Sequence, residues 1–267
     1  MALLLTVAAA VASATETQIS PEKIAQMDPA AAGLAVMTEA DRRDSGYQDL
    51  NVELTMVLRD ARDRENAREL RISQLEVADD GDKMLVVFDS PKAIRGTALL
   101  SYSHARREDD QWLYLPALKR VKKITARNKS GPFLSSEFAF EDLTTQEVEK
   151  YRYRYLGTAS CALGSCYHIE RIPLDEFSGY SRQEVWVDLE GFRLLQVVYF
   201  DRRGDALKTL VADEFRLHEE RFWRAESMLM TNHQTNKSTA LRWRDFQFAT
   251  GLSAERDFST NSLLRAR

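Results

Sequence analysis

Apolar residues recur first at helical spacing and then, from about residue 50 onward, at every second position. Ser20-Pro21-Glu22 and Asp28-Pro29 each set a capping residue before a proline at the first helical position, and Leu34, Met37 and Ala40 follow three apart until Gly46. This spacing predicts a short helix and then an amphipathic one over about 28–43. Leu50, Val52, Leu54, Met56 and Leu58 alternate with Asn51, Glu53 and Thr55, the pattern of a strand with one dry face. A second strand starts with Leu70 and Ile72 and resumes at Leu75 and Val77, a change of phase that predicts a bulge. Residues 84–88 are apolar at every position, and further strands are predicted at 97–103, 111–115, 149–156, 166–172, 183–189, 194–201, 207–217, 222–232 and 239–248.

Turn chemistry such as Asp79-Asp80-Gly81-Asp82, Glu190-Gly191 and Arg202-Arg203-Gly204-Asp205 separates these strands and favours hairpins over crossovers. The expectation is one long antiparallel meander. A twisted sheet of ten or more strands does not stay flat, so it should curl into a barrel or half-barrel, with the 28–43 helix covering its inside. The predicted class is α+β, mainly β. No linker or repeat divides the chain, which predicts a single domain over 15–267 with a helical lid at 19–45 and the meander at 50–250. Periodicity leaves open whether the inside is packed core or cavity.

Composition alters this picture little. With 44% hydrophobic residues the chain can build a core, and 37 basic against 41 acidic side chains leave it at −4, with no overall case for nucleic acid or an anionic membrane. The first residues matter more. Leu3 to Ala12 form an unbroken small and apolar run followed by Ala12-Ser13-Ala14, which predicts an export signal over 1–14 cleaved near Ala14 and a periplasmic protein. Ten residues are too few for a membrane span, which needs about 20.

Candidate chemistry is sparse. No GxSxG elbow, HExxH helix, P-loop or GxGxxG turn is present, so neither an enzyme nor a cofactor is expected. Cys161 and Cys166, with His168 nearby, suit a disulfide stapling a hairpin in an exported protein better than two free thiols or a zinc site lacking a fourth ligand. His104, His218 and His233 read as surface or turn histidines, and Asp109-Asp110 and Glu219-Glu220 as solvated hairpin tips.

One segment breaks the acidic balance. Residues 111–136 carry Lys119, Arg120, Lys122, Lys123, Arg127 and Lys129 and no acid, between Trp112-Leu113-Tyr114-Leu115-Pro116 and Gly131-Pro132-Phe133-Leu134, with Phe138 and Phe140 close behind. Basic residues among aromatics can serve single-stranded nucleic acid, but export argues against that partner. They also suit a lipid or lipoprotein, whose acyl chains take the apolar surface while the basic rim meets a headgroup or a partner protein. A plain solvated strand and loop is the alternative.

Three blocks in these regions, FDSPKAIRGTALL (88–100), QWLYLPALKRVKKI (111–124) and FLSSEFAFEDL (133–143), resemble the bacterial outer-membrane lipoprotein-sorting proteins of the LolA-like superfamily, more loosely from about Met37 to the C-terminus. The third block departs at Ser135 and Glu137, near which a glycine and an aspartate are usual. The resemblance implies a periplasmic carrier built as an incomplete antiparallel barrel closed by helices, with an apolar cavity for acyl chains. Its members often accompany RND-superfamily exporters, which implies an inner-membrane partner of that kind. The expected protein is therefore a monomeric carrier. Lys119, Arg120, Lys122, Lys123, Arg127 and Lys129 would contact headgroup or partner, and Leu34, Met37, Trp112, Tyr114, Phe133 and Phe138 are candidates to line the cavity. A packed adaptor subunit of an exporter, without lipid cargo, is the competing expectation.

Overall fold

The computed structural model describes residues 19–265; the predicted export segment lies outside them. Two helices come first, α1 (Pro21–Gln26) and α2 (Pro29–Asp44). Both starts are made by the predicted caps: Ser20 Oγ accepts from the Lys23 amide and Asp28 Oδ1 from those of Ala30 and Ala31. Six strands follow, β1 (Asp49–Arg59), β2 (Glu65–Leu75), β3 (Lys83–Ser90), β4 (Ala98–Tyr102), β5 (Asp110–Leu115) and β6 (Arg120–Ile124). After a long connection come β7 (Tyr151–Cys161), β8 (Gly164–Pro173), β9 (Tyr180–Asp188), β10 (Leu194–Asp201), β11 (Ala206–His218), β12 (Phe222–Asn232) and β13 (Lys237–Phe248), then α3 (Ala254–Asp257) and α4 (Thr260–Arg265).

All thirteen strands form one antiparallel sheet that does not close, in the order β6-β5-β4-β3-β2-β1-β13-β12-β11-β10-β9-β8-β7. The expected single meander is therefore two. β1–β6 and β7–β13 each run by hairpins, β1 pairs with β13 to join them, and residues 125–150 cross from one edge of the sheet to the other. Local turn chemistry specifies each hairpin but says nothing about which two distant strands meet, so this crossover was not readable from spacing.

The alternation picks the faces. Val52, Leu54, Met56, Leu70, Ile72, Val86, Phe88, Leu99, Leu113, Ile169, Val185, Val197, Met230 and Leu241 turn to one face, the inner one, and join α2 and the crossover in the main core. Residues of the other parity on β3–β5 turn outward and form a second core. Val87, Ala98 and Leu100, with Leu85, Trp112 and Tyr114 at its margin, pack beneath Phe258 and Leu263 of the C-terminal segment. That layer explains why residues 84–88 are apolar throughout. It also removes the expected bulge at Leu75. β2 pairs with β1 without a break from Glu65 to Leu75, and Leu75, of the opposite parity to Ile72, turns outward and packs on the second core. The irregularity between β2 and β3 falls at Glu69/Leu70, where Asp89 of β3 is the extra residue.

Helix α2 does not present the expected face. Ala32, Gly33, Val36 and Met37 are buried, whereas Leu34 points to solvent at 46% exposure. The reason is close approach: a Cβ on Gly33 would stand 3.0 Å from backbone atoms of Arg154 and Tyr155, so the small residues, not the leucine, meet β7. Cys161 and Cys166 form a disulfide at the β7–β8 hairpin, with Cα atoms 5.9 Å apart.

Candidate functional site: the crossover and the groove beneath it

The crossover is pinned at both ends to one residue. Lys129 Nζ donates to the Asp109 carbonyl (2.6 Å), and Lys150 Nζ meets the Asp109 carboxylate (2.8 Å). Asp109 is thus an anchor and not a solvated tip, and Lys129 is buried and unavailable as a rim cation. Asp110 is equally engaged. Lys123 lies 2.7 Å from it and Arg107 2.9 Å, and against the upward push of burial these two cations hold its carboxyl down at about 2. His104 is buried as well, its Nδ1 2.7 Å from Asp80, contrary to the surface role expected of it. His218 packs against the rings of Phe246 and Phe248, and burial lowers its pKa. His233 remains exposed beside Thr209, and Glu219-Glu220 form an exposed turn, as their polar surroundings implied.

Between its anchors the segment lies across the inner face. Phe133 is fully buried against Phe88 and Phe140, and the Phe140 carbonyl accepts from Gln111 Nε2 (2.9 Å). The Leu134 carbonyl accepts from Arg68 of β2, and the Glu137 amide donates to Thr239 Oγ1 of β13 (3.0 Å). The far side is held by charge. Lys208 of β11 lies 2.7 Å from Asp142, donates to the Glu137 carbonyl (2.9 Å) and sits over the rings of Tyr180 and Tyr199. Tyr180 Oη also donates to Asp142 (2.9 Å). Next to it, Glu141 accepts from Ser178 Oγ (2.8 Å) and the Gly179 amide (2.9 Å). Burial pushes the Glu141 carboxyl up to about 7 and the Asp142 charge adds to that, more than the two hydrogen bonds offset.

Two adjoining recesses flank this segment where it meets the sheet. The larger, about 490 Å³, lies between residues 130–139 and β9, β11 and the β12–β13 turn. Pro132, Phe138, Ala139 and Leu207 give it apolar wall, and Lys208, Asn232 and Lys237 a polar one. The smaller, about 320 Å³, opens beside the β1–β2 hairpin and shares Ser135, Glu137 and Lys237 with the first. Asn232 Nδ2 holds Glu137 (2.7 Å) on the common wall.

The structure divides the expected cavity residues. Phe138 lines the groove; Phe133 and Met37 are buried in the main core; Leu34 is exposed. Trp112 and Tyr114 lie on the outer face, Trp112 against the Tyr102 ring, because they alternate with the inward Leu113 and Leu115. Of the basic residues, Lys119, Arg120 and Lys122 stand exposed on the β5–β6 hairpin, Lys123 pairs with Asp110, and Arg127 lies over the Phe177 ring. Sequence reading missed Lys208, Asp142 and Glu141. A lysine of the inward parity on β11 was the available signal. Among the described residues no helix is long and apolar enough to cross a membrane, and no group of three or more His, Cys, Asp or Glu side chains could hold a metal.

An open, curved antiparallel sheet with helix and crossover laid over one face is the LolA-like half-barrel. A LolA superfamily protein from Nitrosomonas europaea has the same fold (TM-score 0.69, 17% identity, 88% of this chain and 99% of that one). The likeness goes further for a domain described as an outer membrane lipoprotein-sorting protein from Vibrio parahaemolyticus. It is 47% identical over 88% of this chain and all of its own length, with a TM-score of 0.86. The chain belongs to the outer membrane lipoprotein-sorting protein family. A DUF1329 family protein from Desulfovibrio piger is also similar (26% identity, TM-score 0.84, 89% of this chain and all of that one). A family model described as "Uncharacterized protein" matches residues 80–265. No curated protein matches.

Proposed function

We propose that the protein is a periplasmic carrier, without enzymatic activity, that seats an acyl chain of a lipoprotein or lipid in the groove beneath the crossover, for transfer toward the outer membrane. The observation that carries this reading is the groove itself, about 490 Å³ of partly apolar recess between the sheet and a segment held to it by the buried Phe133 and by polar contacts at the groove wall. Its volume falls in the range of small-molecule sites. Burial contributes about 0.8 kcal/mol per methylene, so even part of an acyl chain would bind usefully. Membership in the sorting family supports the carrier role, and the apolar leader-like run at 3–12 supports export.

The test is titration of delipidated protein with a fluorescent fatty-acyl probe, alongside Leu207→Trp, which fills the groove wall. Binding by the parent protein and at least tenfold weaker binding by the variant are expected. No binding, or equal binding by both, would overturn the reading. A second reading, an adaptor subunit of an exporter with no lipid cargo, draws on the dense packing of Phe133, Val36 and Met37 over the inner face. It predicts no acyl binding at all.

A further inference from the structure

The two edges of the sheet are treated differently. At the β7 edge α2 lies so close that Gly33 faces the backbone of Arg154 and Tyr155. At the other edge β6 pairs with β5 on one side and, among the described residues, with no strand on the other. A bare edge offers unpaired amides and carbonyls to any extended chain, and lysines there oppose pairing with a like-charged copy. On β6 the charges are also regularly spaced. Arg120 and Lys122 lie opposite Leu115 and Leu113, share their face of the sheet, and are two residues apart. That spacing, about 6.8 Å, is the repeat of same-face side chains on a neighbouring strand. Lys119 precedes them at the turn with φ +49°, and none of the three makes an ion pair with any described residue. Leu118 (64% exposed), in the turn before β6, and Val121 (37%), on the other face of the strand, add apolar surface beside these charges.

We infer that β6 is a docking edge for an acidic, extended segment of a partner protein, which would add to the sheet as a fourteenth strand with carboxylates at alternate positions opposite Arg120 and Lys122. An anionic membrane surface fits less well. It would use the charges but leave the edge backbone unpaired, and it would not need the two-residue register. The inference does not depend on what the groove holds.

The experiment uses acyl-free protein and two labelled peptides of the same length, one alternating glutamate with valine and one alternating lysine with valine. The glutamate peptide should bind at low salt and slow amide exchange over 120–124, and the lysine peptide should not bind. The triple variant Lys119→Glu/Arg120→Glu/Lys122→Glu should lose binding at least tenfold while keeping its melting temperature. Lys122→Gln, which adds no new charge, provides the same comparison with a smaller loss should the triple variant fail to fold. Failure of the parent protein to bind the glutamate peptide would overturn the inference, as would binding without new protection at 120–124. So would capture of phosphatidylglycerol vesicles through these three residues with no peptide binding.

Discussion

Lys208 Nζ and the Asp142 carboxylate are 2.7 Å apart with both side chains almost fully buried, and this pair ties the crossover to the sheet at the groove wall. A buried pair is weak grounds for stability in itself, but removing one partner strands the other charge out of water. Lys208→Met should therefore lower unfolding stability by about 3–5 kcal/mol, measured by denaturant titration. Lys208→Met with Asp142→Asn should recover most of that loss. A double-variant loss equal to the sum of the two single-variant losses would show that the pair is not coupled.

The crossover should be more stably held at mildly acidic than at neutral pH. Burial raises Glu141 and Glu147, both on the crossover, to about 7, and Asp82 to about 6. An acid with a raised folded-state value takes up a proton on folding. Its stabilisation is full below the unfolded value, near 4.5, and is lost as pH rises through the folded one. Stability should thus fall between pH 4.5 and 7, by at most about 1.4 kcal/mol per pH unit for Glu141. Glu141→Gln should flatten the slope. Glu39 and Asp110, held at about 2, act only below that window. A slope of the opposite sign, or one unchanged in the variant, would contradict the assignment.

Gly33→Ala discriminates between a fixed and a loose α2. In an unencumbered helix the change should stabilise by about 1 kcal/mol. Here the new methyl would stand 3.0 Å from the Arg154 and Tyr155 backbone, so a net destabilisation of about 1–3 kcal/mol is expected. A rise in melting temperature would mean that α2 yields easily at this contact.

Much of the sheet was legible because each strand obeys one local rule. The alternation at 194–201 and 222–232 marks β10 and β12 residue for residue, and the caps at Ser20 and Asp28 mark both helix starts. β6 was not legible. Four of its five residues are exposed and three are charged, so it shows no dry face; only its pairing with β5 makes it a strand. The site was harder to read for the same reason. Trp112 and Tyr114 flank the basic run as cavity residues would, but Leu113 and Leu115 claim the inner face, and the outer layer over the aromatic pair comes from Leu252, Phe258 and Leu263, far along the chain. Lys129 and Asp109 looked solvated because their partners come from separate segments, one pairing an ammonium with a backbone carbonyl. Local pattern specifies which way a side chain points, whereas what it meets there is set by the long-range pairing of β1 with β13 and the path of the crossover.

Acyl content of the protein as it occurs in its host tests the carrier account most directly. The mature protein, purified from native envelope extracts without detergent, should release about one acyl-bearing lipid or lipoprotein per chain on denaturation and mass spectrometry. Leu207→Trp, expressed to the same level, should release several-fold less. A parent protein that is lipid-free and takes up no acyl probe afterwards would contradict the account.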